Sequence, residues 1–261
     1  MDESSKLKRA VQRLSGHVLE NITLLKMLEA YGDQMDCKLV EQGREWAVLL
    51  CLPASCSSYD RAVYPEAKSI VFVGGTDTTA ILELLNRLTI QKPVIFKTQK
   101  EEYRQVIESK YQVEKIRSFY TYSCLERIPE PEISEIVEED VVNENLIPLW
   151  SNNGYDSQEL RKMFEQGARS YTLYEAGEPV STCLTFHNYG PVWEIGAVNT
   201  RDDHRGKGYA KKIVTAAVNY LLVRKFLPRY QVLESNWPSI KVAESLGLTR
   251  VVTLEHLYFG V

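Results

Sequence analysis

The sequence predicts an α/β protein in two parts: a C-terminal part with a mixed, mostly antiparallel sheet and flanking helices, preceded by a second α/β domain. Apolar residues follow strand and helix periods in turn along the chain. The length of 261 residues exceeds the ~150 residues typical of one domain. A carboxylate-rich stretch with Pro129 and Pro131 divides the chain, and we place the domains at 1–128 and 129–261.

The composition is that of a globular cytoplasmic protein. Hydrophobic residues make up 44% and charged residues 25%, and no apolar run approaches the ~20 residues that span a bilayer. The net charge of −4 argues against a nucleic-acid partner. The five cysteines contain no CxxC pair, so neither a disulfide framework nor a metal site is expected. We predict no membrane contact, and the oligomeric state stays open.

The N-terminal part begins with an apolar stripe over residues 5–31, which indicates one helix or a pair broken near Gly16. Strands and helices then alternate: strands 46–52 and 69–73, helix 78–88, strand 94–97, helix 101–109 and strand 113–122. The order from Ile70 repeats the order from Val192. Two interpretations stay open, a degenerate copy of the C-terminal half or an unrelated α/β domain.

The C-terminal part follows an acidic stretch, 126–140, that is typical of a solvated connector. A helix is expected from Ile136 through Trp150, and a second one is capped by Asp156. The remaining order is an antiparallel meander, a long helix, and a strand, a helix and a strand: 170–174, 180–186, 192–199, 209–227, 230–234, 238–246 and 250–259. In the long helix, Asn219 is expected on the exposed face.

The stretch between the meander and the long helix carries the functional signal. Arg205-Gly206-Lys207-Gly208 opens the helix, and two glycines let consecutive N–H groups converge at a helix N-terminus, where the dipole favours an anion. A plain strand–turn–helix corner is the simpler interpretation of a glycine pair alone. The dinucleotide pattern GxGxxG is excluded because Lys211 stands at its third glycine.

Residues 203–208 resemble the acyl-coenzyme A loop of the GNAT superfamily of N-acyltransferases, [QR]xxGx[GA], with Asp203 departing at the first position. A second motif of the superfamily, NxxSxxxxxxLG[FL], is similar to Asn236, Ser239 and the Leu-Gly-Leu at 246–248. The resemblance covers about 136–259.

Within that superfamily the chain most resembles the glycine N-acyltransferase-like branch. Glu194 precedes Arg205 by eleven residues, as in that branch, and Trp150, Gly154 and a Gly-x-Pro-Val-Ser turn at Gly177–Ser181 are also similar.

The resemblance implies an N-acyltransferase that moves an acyl group from acetyl-CoA or another acyl-CoA to an amine of a small molecule or amino acid, by direct attack in a ternary complex. It assigns the end of the strand to the pantetheine and thioester, the loop to the pyrophosphate, and the second motif to the far wall of the cleft. The residues so assigned are Ala197, Val198, Asn199, Thr200, Arg205, Gly206, Lys207, Gly208, Tyr209, Ala210, Asn236 and Ser239.

Glu194 is the predicted general base, because a carboxylate in a mostly apolar strand is costly unless it is paired or useful. A solvent-facing Glu194, or one paired with Lys or Arg, is the competing interpretation. The tyrosine that many members use as the acid is replaced by Ala243, which leaves His204 and Tyr209 as stand-ins. Two other functions therefore stay open, an acyl-CoA sensor without catalysis and a protein N-acetyltransferase.

Overall fold

The computed structural model describes residues 3–129 and 136–260. The chain forms two compact units, Met1–Tyr120 with Val252–Val261, and Thr121–Val251. The predicted domains 1–128 and 129–261 assign the C-terminal strand to the second part, whereas its last residues belong to the first unit. That residues 1–128 form a domain by themselves stays a prediction.

The first unit contains a mixed sheet in the strand order β1-β2-β3-β4-β11. Strands β1, β2 and β3 form an antiparallel meander, and β4 runs parallel to β3 after a helical crossover. Strand β11 pairs antiparallel with β4. The elements are α1 Glu3–Leu14, α2 Val18–Tyr31, β1 Asp36–Gln42, β2 Glu45–Pro53, α3 Ser58–Val63, β3 Ser69–Gly75, α4 Thr78–Asn86, β4 Val94–Thr98, α5 Glu101–Lys110, β5 Glu114–Ser123 and β11 Thr249–Phe259, the last two extending into the other unit.

The second unit repeats this order of elements. Strands β6 to β9 form an antiparallel meander, and β10 runs parallel to β9 after the crossover helix α8. Duplication of one half from the other stays a prediction. The elements are β6 Ile136–Glu139, α6 Ile147–Ser151, α7 Ser157–Glu165, β7 Arg169–Glu175, β8 Glu178–Tyr189, β9 Val192–Thr200, α8 Tyr209–Val223, β10 Leu227–Leu233 and α9 Trp237–Ser245.

Helices cover both faces of the sheet that β6 to β10 form in the second unit. Helix α8 buries Ile213 and neighbouring apolar residues on the face from which Cys183 projects, since the Cys183 thiol contacts the Ile213 carbonyl. On the other face, Trp150 of α6 and Phe164 of α7 pack with Leu184, the next residue of β8. The predicted fold class, a mixed and mostly antiparallel sheet with flanking helices, is confirmed.

Several local predictions were wrong. Strand β1 and helix α3 were not expected, and Ile136 begins strand β6 rather than a helix. Both missed strands are polar and lie at sheet edges, where charged residues are common and the apolar pattern is weak. Asn219 is buried rather than exposed. Its side chain exchanges two hydrogen bonds with the backbone of Ile128, at 2.8 and 2.9 Å, and these satisfy the buried amide. Residues 130–135 of the predicted connector lie outside the described residues.

A buried ion pair ties α3 to β4 in the first unit. Lys97 Nζ lies 2.6 Å from Asp60 Oδ1, and both side chains are buried. Burial lowers the pKa of Lys97, and the charge of Asp60 opposes that shift. Beside Lys97, His256 accepts or donates a 2.5 Å hydrogen bond at Nδ1 with the Tyr64 hydroxyl, and burial lowers the pKa of His256 to about 2. His256 is therefore neutral, and Lys97 carries the balancing charge for Asp60.

None of the helices in the described ranges is long and apolar enough to cross a membrane.

Lys97→Met should lower the free energy of unfolding by ~3–5 kcal/mol, because it leaves the Asp60 carboxylate buried without a cation. Asp60→Val combined with Lys97→Met should recover much of that loss, since an apolar pair needs no compensation. Urea denaturation measures both variants, with Lys26→Met as an exposed control expected within ~0.5 kcal/mol of the parent. A Lys97→Met variant as stable as the Lys26→Met control would contradict the assignment.

Candidate functional site

Strands β9 and β10 pair for three residues and then separate. Their parallel register runs from Val192 opposite Leu227 to Glu194 opposite Arg229 and goes no further. Both strands continue beyond that point, β9 to Thr200 and β10 to Leu233. The backbone groups that face the gap are therefore not used by the other strand, and a fork opens within the sheet.

Glu194 fills the closed end of this fork. Its Oε1 accepts the backbone N–H of Gln231 at 3.3 Å, the second residue of β10 beyond the last paired one. Its Oε2 accepts Asn188 Nδ2 at 2.8 Å and also pairs with the Arg229 guanidinium. Glu194 and Arg229 are both buried. The structure thus places Glu194 in an ion pair, which was the competing interpretation of its position in the strand.

A β-bulge in β9 lies on the open side of the fork. The register between β8 and β9 shifts between Leu184, opposite Gly196, and Thr182, opposite Asn199. Within the bulge Ala197 has a φ of +50°, in the left-handed region that few residues other than glycine adopt. Gly196 lies one residue before the bulge, and a glycine inside a strand often marks such an irregularity.

The loop after β9 leaves the N-terminus of α8 open. Gly206 and Gly208 have φ values of +79° and +80°, and Gly208 is the N-cap residue. No side chain caps the helix and no acidic residue lies in its first turn. The first N–H groups of a helix have no partner within it, so backbone donors and the positive end of the helix dipole lie here.

The equivalent loop of the first unit is closed. Asp77 caps α4, accepting the Thr79 N–H at 2.8 Å, and so occupies the helix N-terminus with its own carboxylate. A Cβ at Gly75 would lie 2.6 Å from the Trp46 carbonyl oxygen, and one at Gly74 would lie 2.9 Å from Leu24. Only the second of the two related loops has space and donors for an anion.

Ion pairs hold the second loop in place. Arg205 pairs with Asp202 at 2.7 Å, and Lys207 lies 3.8 Å from Glu175. Glu175 also contacts His204 Nε2 at 3.2 Å and accepts the Tyr209 hydroxyl. The hydrogen bond from Tyr209 holds the pKa of Glu175 below its usual range. His204 and Tyr209, the suggested stand-in acids, thus serve to fix the loop through one exposed carboxylate.

The end of β9, the loop, and the helices α8 and α9 surround a cleft of about 580 Å³. Two of the predicted cofactor residues, Ala197 and Lys207, do not line this cleft. The predicted cofactor residues that line the cleft are Val198, Asn199, Thr200, Arg205, Gly206, Gly208, Tyr209, Ala210, Asn236 and Ser239. Their role in binding stays a prediction.

Sequence motifs missed part of the cleft. Asn153 comes from the segment after α6, and Lys211, Lys241, Val242 and Ser245 come from the two helices. Helical spacing could have found the last three, because they follow Pro238, which also lines the cleft, by three, four and seven residues. Asn236 has a structural task as well, since its side chain accepts the Ser239 N–H at 3.3 Å and caps α9.

The wall of the cleft is cationic. Arg205, Lys211 and Lys241 line it, and among the described lining residues none is Asp or Glu. Such a surface suits a ligand with several negative charges. Ala243 is fully buried in α9 and has no group that could donate a proton. Within residues 3–129 and 136–260, no cluster of His, Cys, Asp and Glu has the arrangement of a metal site.

Comparison with known proteins assigns the family. A model described as GNAT acetyltransferase matches residues 56–256, well over half of the chain. The chain belongs to the GNAT acetyltransferase family. The match starts at residue 56, inside the first unit, whereas the resemblance seen in the sequence motifs starts at about residue 136. Membership supports acyltransferase activity, for which this family normally uses acetyl-CoA or another acyl-CoA.

Solved structures of the GNAT family share the fold. A GCN5-related N-acetyltransferase from Kribbella flavida is 15% identical with a TM-score of 0.58, covering 90% of this chain and 93% of that chain. A GCN5-related N-acetyltransferase-like protein from Streptococcus suis is 18% identical with a TM-score of 0.51, covering 99% and 100%. An acetyltransferase from Colwellia psychrerythraea is 11% identical with a TM-score of 0.53, covering 93% and 97%. No curated protein matches this sequence. These matches give the glycine N-acyltransferase-like branch no support.

Proposed function

We propose that this GNAT protein transfers an acyl group from acetyl-CoA or another acyl-CoA to the amine of a small molecule. The observation that carries the proposal is the uncapped N-terminus of α8, with two left-handed glycines, inside a cationic cleft. A pyrophosphate supplies the charge that such a helix end stabilises.

The residues present fit coenzyme A along the whole cleft. The N–H groups from Gly206 to Ala210 are the donors for the pyrophosphate, and Lys211 and Lys241 add positive charge at the α9 side. The unpaired edge of β9, Val198 to Thr200, offers backbone groups for the amide-rich pantetheine arm. The thioester then lies near the bulge, where the fork gives an amine room to approach.

Glu194 is the proposed general base, within limits that its contacts set. A carboxylate has about four lone-pair positions, and Gln231, Asn188 and Arg229 use three of them. One position on Oε1 remains for a water molecule that takes the proton of the attacking amine. Its pairing with Arg229 gives Glu194 a second task, to hold the closed end of the fork.

A second candidate function is acyl-CoA binding without catalysis. Ala243 favours this function, because it stands where many members of the superfamily have the acid tyrosine and it has no proton to donate. A thiol of pKa around 8.5 leaves without an acid, so the absence is compatible with either function, and activity measurements distinguish them.

Gly206→Asp combined with Gly208→Asp should abolish coenzyme A binding. Both side chains would bring negative charge to the donors that the phosphates need. Both positions have open space, and the positive φ at each adds backbone strain, which the control shares. Titration calorimetry with coenzyme A measures the loss. Gly43→Asp is the matched control, because Gly43 also has a positive φ and open space but lies in the first unit. Unchanged affinity in the folded double variant would refute the site.

Incubation with acetyl-CoA and a panel of small amines should release free thiol in proportion to amide formed. The expected dependence on the amine distinguishes transfer from slow hydrolysis of the thioester. Detection of free thiol with a chromogenic disulfide follows the reaction, and mass spectrometry identifies the amide. Tight binding of acetyl-CoA without thiol release across the panel and with longer acyl groups would select the sensor function.

Glu194→Gln and Arg229→Gln should separate the two tasks of Glu194. Each breaks the buried pair and should lower the free energy of unfolding by about 3 kcal/mol. Only Glu194→Gln removes the base, so its turnover should fall a further ~10²-fold or more below that of Arg229→Gln. Coenzyme A affinity should change little in either variant. Equal turnover in the two variants would restrict Glu194 to the ion pair.

A further inference from the structure

Tyr155 lies in the segment between α6 and α7; it does not itself line the proposed cleft, but its hydroxyl reaches β9 at Gly196, two residues before the cleft-lining Val198. It follows Asn153, which lines the cleft, by two residues. The tyrosine ring packs edge-on against Phe186 of β8, with centroids 6.2 Å apart and planes at 74°. This packing accounts for the position of the ring but not for the position of the hydroxyl.

The Tyr155 hydroxyl sits directly on the bulge of β9. A Cβ at Gly196 would lie 2.7 Å from that oxygen, so only glycine lets the hydroxyl approach the strand so closely. The Ala197 backbone lies close enough to this hydroxyl to lower its pKa, against the larger effect of burial. Gly196, the left-handed Ala197 and Tyr155 therefore form one local arrangement at the point where β9 leaves its partners.

The hydroxyl of Tyr155 has one O–H that it can donate and two lone pairs that can accept. Burial, and after it the charges of Glu194 and Glu159, raise the pKa of Tyr155. The phenol is therefore neutral, and it is a hydrogen-bond donor rather than a proton donor to a thiolate.

Building on the proposed function, we infer that the Tyr155 hydroxyl is the oxyanion donor of the transfer reaction. The amine nitrogen bonds to the thioester carbon, whose oxygen becomes an anion that the Tyr155 O–H stabilises. The C–S bond then breaks and the coenzyme A thiolate leaves. The amine loses one proton to base and solvent, and the thiolate takes up one proton from solvent.

Tyr155→Phe keeps the ring on Phe186 and removes only the donor. Loss of one oxyanion donor typically lowers kcat ~10²–10³-fold, and the KM for acetyl-CoA and the affinity for coenzyme A should stay within about threefold, since the loss is confined to the transition state. Tyr189→Phe, at the far end of β8, is the matched control and should retain parental kcat.

Gly196→Ala tests the same contact from the strand. Its methyl group would displace the Tyr155 hydroxyl, so this variant should lose kcat much as Tyr155→Phe does. In the double variant the two losses should not multiply, because both remove one interaction. Full multiplication of the losses would show that the two residues act independently and would contradict the inference that both act through this contact.

An infrared spectrum gives a measurement that does not depend on turnover. With acetyl-CoA carrying ¹³C at the carbonyl, binding to the parent should shift the thioester carbonyl band to lower wavenumber, and Tyr155→Phe should remove most of the shift. If the parent transfers acyl groups and Tyr155→Phe keeps both kcat and the band shift, the inference is wrong while the proposed function stands. If the parent neither binds nor turns over acetyl-CoA, the proposed function fails and this inference fails with it.

Discussion

The buried pair of Glu194 and Arg229 is the interaction on which the site depends. Hydrogen bonding between two parallel strands normally continues along both strands. Here the pairing of β9 and β10 stops at these two residues. The Glu194 carboxylate accepts the Gln231 N–H that lies beyond the last pair. A side chain thereby replaces the backbone acceptor that β9 would have supplied, and the Gln231 N–H stays satisfied where the fork opens. The charge pair is then required because a lone buried carboxylate is costly.

The two units show what distinguishes an anion site from an ordinary strand–helix corner. Both have a parallel pair of strands joined by a crossover helix, with glycines before the helix. In the first unit Asp77 accepts the Thr79 N–H at the start of α4, and packing fills the space at Gly74 and Gly75. In the second unit the N-cap is a glycine without a side chain. The difference lies in one carboxylate and in the free volume, and the glycines are common to both.

Sequence patterns predicted local features well and long-range ones poorly. The order of elements around Gly206 and Gly208 follows from residues within one loop and the first turn of its helix, so it could be predicted. The partner of Glu194 could not, because Arg229 lies 35 residues away and meets it only through the register of β9 and β10. Strands β1 and β6 were missed because an edge strand needs little apolar surface. Tyr155 carries no pattern, and its position depends on a bulge that no spacing indicates.

Gly196 links these observations. As part of a strand it weakens the sheet, yet its missing side chain admits the Tyr155 hydroxyl on the same face of β9 as Glu194. The fork needs the carboxylate, and the carboxylate together with burial keeps the nearby phenol neutral. A neutral phenol stabilises a developing negative charge without adding a charge to the ground state, which a lysine or protonated histidine at this position would do. The absence of an acid at Ala243 is then consistent with a reaction whose demanding step is formation of the oxyanion rather than departure of the thiol.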